Sequence, residues 1–135
     1  MPAGDAFFDT NVLLYLLSEE TGKADRAEDL LAAGGTISVQ VLNELTAVAR
    51  GKLAMSWHDV QDVLSIVRSL CEVVPVTVET HARGLDIAQD MKLHVYDSMI
   101  VASALLARCA VLYSEDLQDG RVVAGRLTIR NPFAT

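Results

Sequence analysis

Short apolar runs alternate with longer amphipathic stretches along this chain. Ala6 to Phe8 reads as a short buried strand that runs into a helix from about Val12 to Ser18. A turn at Thr21-Gly22 leads to a second helix over 23–33, with Ala24, Ala27, Leu30 and Leu31 on one face. Gly34-Gly35 stops it, and Thr36-Ile37-Ser38 forms a second strand, with Ser38 placed to cap the helix that carries Asn43, Glu44 and Leu45. Arg50-Gly51-Lys52 breaks the pattern. Ser56 then opens a helix to about Leu70, with Asp59 in an acidic variant of the capping box. Val73-Val74-Pro75-Val76 predicts a third strand, edged by its proline. Helices follow over 79–91 and 96–108, then strands over 110–113 and 127–129, with a turn at Gln118-Asp119-Gly120 between those two strands. Strands alternating with helices predict an α/β fold with a mostly parallel sheet.

The length of 135 residues predicts one domain, and 51% hydrophobic residues with only three prolines exclude a disordered chain. Cys71 and Cys109 sit in apolar contexts without CxxC spacing and read as reduced core thiols of a cytoplasmic protein. The N-terminus has no early Lys or Arg of the kind a secretory leader carries, and no apolar run approaches the roughly 20 residues of a membrane span. The net charge of −7 argues against binding nucleic acid by bulk positive charge. It leaves room for a nuclease, because a cluster of catalytic acids would itself supply several of those charges.

Four acids stand where an apolar run meets a polar step: Asp9 after Phe7-Phe8, Glu44 after Val41-Leu42-Asn43, Asp97 after Val95-Tyr96, and Asp116 after Leu112-Tyr113-Ser114-Glu115. Each has an ordinary reading. Asp9 could cap a helix, Glu44 could reach water from a helix boundary, Asp97 could sit at a helix start favoured by the dipole, and Asp116 could belong to a turn. Taken together they point elsewhere. Carboxylates beside a core need a partner, the chain offers few well-placed cations, and converging carboxylates are the oxygen ligands that a hard divalent cation such as Mg²⁺ selects. Ser114 is placed to hydrogen-bond a neighbouring carboxylate, and Thr10-Asn11 adds polar groups at the Asp9 corner. Arg50, Lys52 and Arg121 are candidate phosphate contacts. His58, His81 and His94 have no ligand spacing, and Asp59, Asp62, Asp86 and Asp90 read as solvated faces.

Four segments in this order resemble the PIN-domain ribonucleases, and among them the toxins of VapBC-type toxin–antitoxin pairs. They are Phe8-Asp9-Thr10-Asn11-Val12-Leu13, Ser38-Val39-Gln40-Val41-Leu42-Asn43-Glu44-Leu45, Tyr96-Asp97-Ser98-Met99-Ile100-Val101-Ala102-Ser103-Ala104, and Leu112-Tyr113-Ser114-Glu115-Asp116-Leu117-Gln118-Asp119-Gly120. The resemblance implies a single Rossmann-like α/β/α sandwich over residues 1–135. It also implies Mg²⁺ or Mn²⁺ held by Asp9, Glu44, Asp97 and Asp116, with Asn11 and Ser114 supporting them, and endonucleolytic cleavage of RNA. A cognate antitoxin and a homodimer are implied as well; the small residues Ala102, Ser103, Ala104 and Ala107 permit close helix approach, either to a second copy or by packing within the domain. A stand-alone PIN-domain nuclease of RNA processing and a non-catalytic PIN-like binding module are the alternatives. A haloacid-dehalogenase-type phosphatase would need a second Asp where Asn11 stands.

Overall fold

The computed structural model describes residues 5–134. A six-stranded sheet runs in the order β3-β2-β1-β4-β6-β5 and is flanked by helices. Its strands are β1 (Ala6–Phe8), β2 (Gly35–Ser38), β3 (Cys71–Val74), β4 (Val111–Tyr113), β5 (Val122–Val123) and β6 (Leu127–Arg130). All neighbours are parallel except β5, which pairs antiparallel with β6 at the edge. The helices are α1 (Thr10–Leu14), α2 (Thr21–Ala32), α3 (Val39–Arg50), α4 (Trp57–Leu70), α5 (Val78–Met91) and α6 (Val95–Leu106). The predicted α/β architecture with a mostly parallel sheet is the one observed.

β1 lies at the centre of the sheet, and Phe7 and Phe8 are fully buried there together with Ile37, Leu112, Leu127 and Ile129. Phe7 and Phe8 face opposite sides of β1 and both are buried, so β1 shows no polar alternation, whereas β4 and β6 alternate in burial along their length. Gly35 is required at the start of β2, because a Cβ there would drive into the Phe8 ring. The other close approach is between α5 and α6, where a Cβ on Gly84 would meet Met99 Sδ at 2.6 Å. This contact seats the first turns of α6 on α5, and residues Ser98 to Leu105 of α6 are buried. The small residues Ala102, Ser103 and Ala104 are therefore spent inside the chain and do not form a free face for a second copy.

Several boundaries differ from the sequence reading. The helix expected over 12–18 is α1 followed by a 3₁₀ turn, Tyr15–Leu17. Thr21-Gly22 is the first turn of α2, not a turn before it. β3 begins at Cys71 and stops before Pro75, which has no N–H to give to a ladder. α6 begins at Val95, capped by His94, whose Nδ1 accepts from the Tyr96 N–H. Ser56 caps α4 through the Asp59 N–H at 3.1 Å, so half of the expected capping box is present. β5 was not anticipated; two residues give too short a pattern to read. Cys71 and Cys109 are buried free thiols, and burial pushes the Cys71 thiol up to about 11. Among the described residues, no helix is long and apolar enough to cross a membrane.

Candidate active site

Because β1, β2 and β4 are adjacent and parallel, their carboxyl ends open onto one edge of the sheet. Ligand sites of open α/β sheets form at that edge. The chain leaves β1 at Asp9, leaves β4 at Ser114, and leaves β2 directly into α3, which carries Glu44.

Asp9 is 4% exposed and is held on every side. Its N–H donates to the Tyr113 carbonyl at 2.9 Å, so the residue extends the β1–β4 pairing by one step. Its Oδ1 accepts from the Thr10 N–H at 2.7 Å, which makes it the N-cap of α1. Its Oδ2 accepts from Ser114 Oγ at 2.8 Å and from Asn11 Nδ2 at 3.3 Å. Cap and candidate ligand are thus one residue in two uses. Burial pushes its carboxyl up to about 6; the hydrogen bonds from Ser114 and Thr10 pull the other way, and the negative charges of Asp97 and Glu44 add to the rise.

The polar frame around Asp9 spans the whole chain. Ser114 is fully buried, and its Oγ accepts from the Asp116 and Leu117 N–H groups at 3.3 Å while donating to Asp9. Asn11 bridges the same two loops, with Nδ2 toward Asp9 and Ser114 and Oδ1 accepting from the Glu115 N–H at 3.0 Å. That backbone donor fixes which way the amide points. Thr10 is buried, and its Oγ1 donates to Glu44 Oε1 at 2.6 Å, bringing α3 to the β1 corner. Thr10 was read only as local polarity, because a bond across 34 residues leaves no mark on sequence spacing.

Asp97 is the third residue of α6, partly buried in its first turn. It is not the helix cap; His94 is. Burial raises its carboxyl, the charges of Asp116 and Glu44 raise it further, and nearby His94 lowers it. Asp116 is exposed on the loop after β4. The four acids therefore lie in one another's fields: Asp9 with Asp97 and Glu44, and Asp97 with Asp116 and Glu44. Among the described residues, none of them has a Lys, Arg or His nitrogen within 4.0 Å of its carboxylate. No three of them reach mutual ligand-atom distances of 4.8 Å either.

Of the basic candidates, Lys52 borders the site, in a groove of about 290 Å³ shared with Asn11, Tyr15, Val48 and Glu115. Arg50 donates to the Met55 carbonyl at 2.8 Å and stacks 4.4 Å over Trp57. Arg121 lines a separate cavity with Arg83, Asp86 and Asp90. Asp119 Oδ1 accepts from the Asn131 N–H, a turn role.

A family model described as PIN domain matches residues 6–122. Among solved structures, the chain superposes on a toxin–antitoxin complex from Klebsiella pneumoniae with a TM-score of 0.74 at 24% identity, covering 96% of this chain and 99% of that one. It also superposes on VapBC2 from Rickettsia felis, solved bound to a DNA fragment from its promoter, with a TM-score of 0.66 at 18% identity and coverage of 93% and 98%. VapC20 from Mycobacterium tuberculosis, a toxin that cleaves the sarcin–ricin loop, aligns with a TM-score of 0.66 at 17% identity and coverage of 82% and 89%. At these identities the likeness is one of fold. No curated protein matches the chain by sequence.

Proposed function

The chain belongs to the PIN domain family, and from that premise we propose that it is a metal-dependent endoribonuclease, the toxin of a toxin–antitoxin pair acting in the cytoplasm. One observation carries the reading: Asp9, Glu44, Asp97 and Asp116 lie near the carboxyl edge of a parallel sheet within one another's fields, and among the described residues none has a basic nitrogen within 4.0 Å. Buried or crowded charge without a partner costs stability, and a fold retains it where a ligand repays the cost.

The donor set fits a hard divalent ion, since it offers carboxylate oxygens only, and burial with the neighbouring negative charges pushes its innermost carboxyl up to about 6. In this reading Asp9 and Asp97 hold Mg²⁺ or Mn²⁺ at the centre, and Glu44 and Asp116 complete the site. When bound, the ion supplies charge neutralisation at the phosphoryl oxygens and a lowered pKa for an attacking water. The protein's own residues do the rest. Ser114 and Asn11 hold Asp9 Oδ2 in place, and Thr10 turns Glu44 toward the corner. Lys52, which lines the adjoining groove with Asn11, is the basic side chain this reading assigns to a backbone phosphate of the RNA. A net charge of −7 means that this contact must be local.

The partner in this reading is a small antitoxin, with an Arg that pairs bidentately with the acids and so competes with the cation. Support for a toxin over a stand-alone nuclease of RNA processing comes from the near-complete mutual coverage with the toxin–antitoxin complex. A homodimer belongs to the same reading, through a surface other than the buried small-residue face of α6.

The test is cleavage of single-stranded RNA by the purified protein, with Mg²⁺ or Mn²⁺ and in parallel with EDTA. Cleavage with metal and none in EDTA is expected; equal cleavage in both overturns the metal mechanism. Co-expression with the product of the adjacent gene should abolish cleavage and growth inhibition. If both persist, the stand-alone nuclease is the better reading.

A further inference from the structure

Glu115 lies between two residues of the polar centre, Ser114 and Asp116, yet its carboxylate takes no part in the acid set. Both of its oxygens are engaged elsewhere. Oε1 accepts from Tyr15 Oη at 2.6 Å, and Oε2 accepts from Lys23 Nζ at 3.0 Å. Lys23 Nζ also donates to Tyr15 Oη at 3.0 Å, which closes a three-membered ring of hydrogen bonds. The 3₁₀ turn after α1 supplies Tyr15, the first turn of α2 supplies Lys23, and the loop after β4 supplies Glu115.

The ring is covered from the C-terminal side. The Lys23 ammonium stands 4.7 Å from the Tyr15 ring centroid and 5.7 Å from that of Phe133, and the two rings meet edge to face at 4.6 Å. Arg26 Nε, one turn along α2, donates to the Pro132 carbonyl at 3.2 Å and holds the covering segment down. The Lys23 and Glu115 side chains are partly exposed, so their ion pair alone would hold little. The unit is more than that pair, because a short phenol–carboxylate bond, an ammonium and two aromatic faces share one group.

The backbone of Glu115 leads back to the centre. Its N–H donates to Asn11 Oδ1, and the next two N–H groups donate to Ser114 Oγ, the hydroxyl that holds Asp9. Fixing the Glu115 side chain therefore fixes the loop that presents Ser114 to Asp9 and carries Asp116. We infer that Tyr15, Lys23 and Glu115 form a positioning clamp that sets the Ser114–Asp116 loop against Asp9, with Glu115 acting as an anchor and not as a metal ligand. The inference rests on the metal-centre reading above and extends it to residues outside the acid set.

The experiment uses the full chain with Lys23→Met, Glu115→Gln, Tyr15→Phe, the double Lys23→Met/Glu115→Gln, and Lys23→Arg as the conservative variant. Amide hydrogen exchange is followed at Glu115, Asp116 and Leu117, Mn²⁺ affinity by calorimetry, and RNA cleavage as kcat and KM separately. Lys23→Met and Glu115→Gln should speed exchange at those amides by about tenfold and leave the β1 and β2 amides protected. They should weaken Mn²⁺ binding and lower kcat by about tenfold each, the lower end for groups that orient a metal ligand, with KM held. The double variant should be no worse than the worse single, since both break one unit. Lys23→Arg should restore part of the loss.

Wild-type exchange and Mn²⁺ affinity in every variant would reduce the ring to surface decoration and overturn the clamp. A rise in KM alone would also overturn it, by making Lys23 an RNA contact. If the wild-type protein cleaves no RNA, the nuclease reading fails, while exchange and Mn²⁺ binding still decide the clamp.

Discussion

Two acidic clusters lie on this protein, and they are opposites. At the start of α4, His58, Asp59 and Asp62 bring ligand atoms within 4.8 Å of one another, on an exposed face where water solvates all three. His58 Nε2 lies 3.5 Å from Asp62 Oδ2, between two exposed side chains. Asp9, Glu44, Asp97 and Asp116 are spaced more widely, but one is buried, two are partly buried, and none has a basic partner within 4.0 Å among the described residues. Proximity alone selects the first cluster. Desolvation and unanswered charge select the second, and these make a cation favourable, because the free energy of an ionised group depends on what has replaced its water.

Substitution tests the contrast most sharply at Asp97. Asp97→Asn should lower metal-dependent RNA cleavage by at least about a hundredfold, beyond the usual effect of losing a group that merely supports a ligand. The metal-free melting temperature should hold or rise, because the raised carboxyl of Asp97 marks a charge that the fold does not favour. A large loss of metal-free stability with cleavage retained would make Asp97 structural.

Asp9 predicts a pH dependence that the exposed cluster should lack. Its carboxyl is lifted from 3.8 to about 6, so between those values the folded state keeps a proton that the unfolded state has lost. Stability without metal should therefore fall as pH rises from about 4 to about 6, by about 3 kcal/mol, and be flat with respect to this group above that. Denaturant titrations across this window, repeated with Asp9→Asn, read the effect directly; the variant should lose the slope. Saturating Mn²⁺ at pH 7 should restore what ionisation removes.

Ser114→Ala should cost about 1–3 kcal/mol, since it strips a buried carboxylate of a donor and two N–H groups of an acceptor. Urea unfolding measures it, and calorimetry should find weaker Mn²⁺ binding. The smallest effect belongs to the first cluster: Asp59→Asn with Asp62→Asn should change stability by no more than about 0.5 kcal/mol and leave cleavage unaltered. A loss of Mn²⁺ binding in that double variant would reverse the comparison.

Much of this was legible in the chain. Apolar runs broken by Gly, Ser and Asp marked β1, β2 and β4, and a buried parallel strand has few other ways to be written. The acids at strand ends were readable because Asp9 and Asp116 each follow an apolar run, although only Asp116 reaches solvent. What stayed hidden was pairwise. Neither the Thr10–Glu44 bond nor the Tyr15–Lys23–Glu115 ring follows from spacing, because their members lie 34 and up to 100 residues apart. Helix starts were misjudged where the capping residue is unusual. His94 caps α6 through a ring nitrogen, and Glu20 precedes α2 without a side-chain bond. Ser38, Ser56 and their helices were read correctly because a serine hydroxyl at that position has a plain local signature.

The central place of β1 also has a consequence in time. Its neighbour β4 is synthesised about a hundred residues later, and Asp9 takes both a carbonyl and a hydroxyl from that late segment. On the ribosome, a nascent chain holds its first acid long before Ser114 and Asp116 exist. Contacts of such long sequence separation form late, after the cost of loop closure has been met. A polypeptide released before Ser114 and Asp116 are made therefore cannot assemble the centre, whatever part of it folds. If the chain cleaves RNA as proposed, that order of assembly leaves unfinished copies without a complete centre.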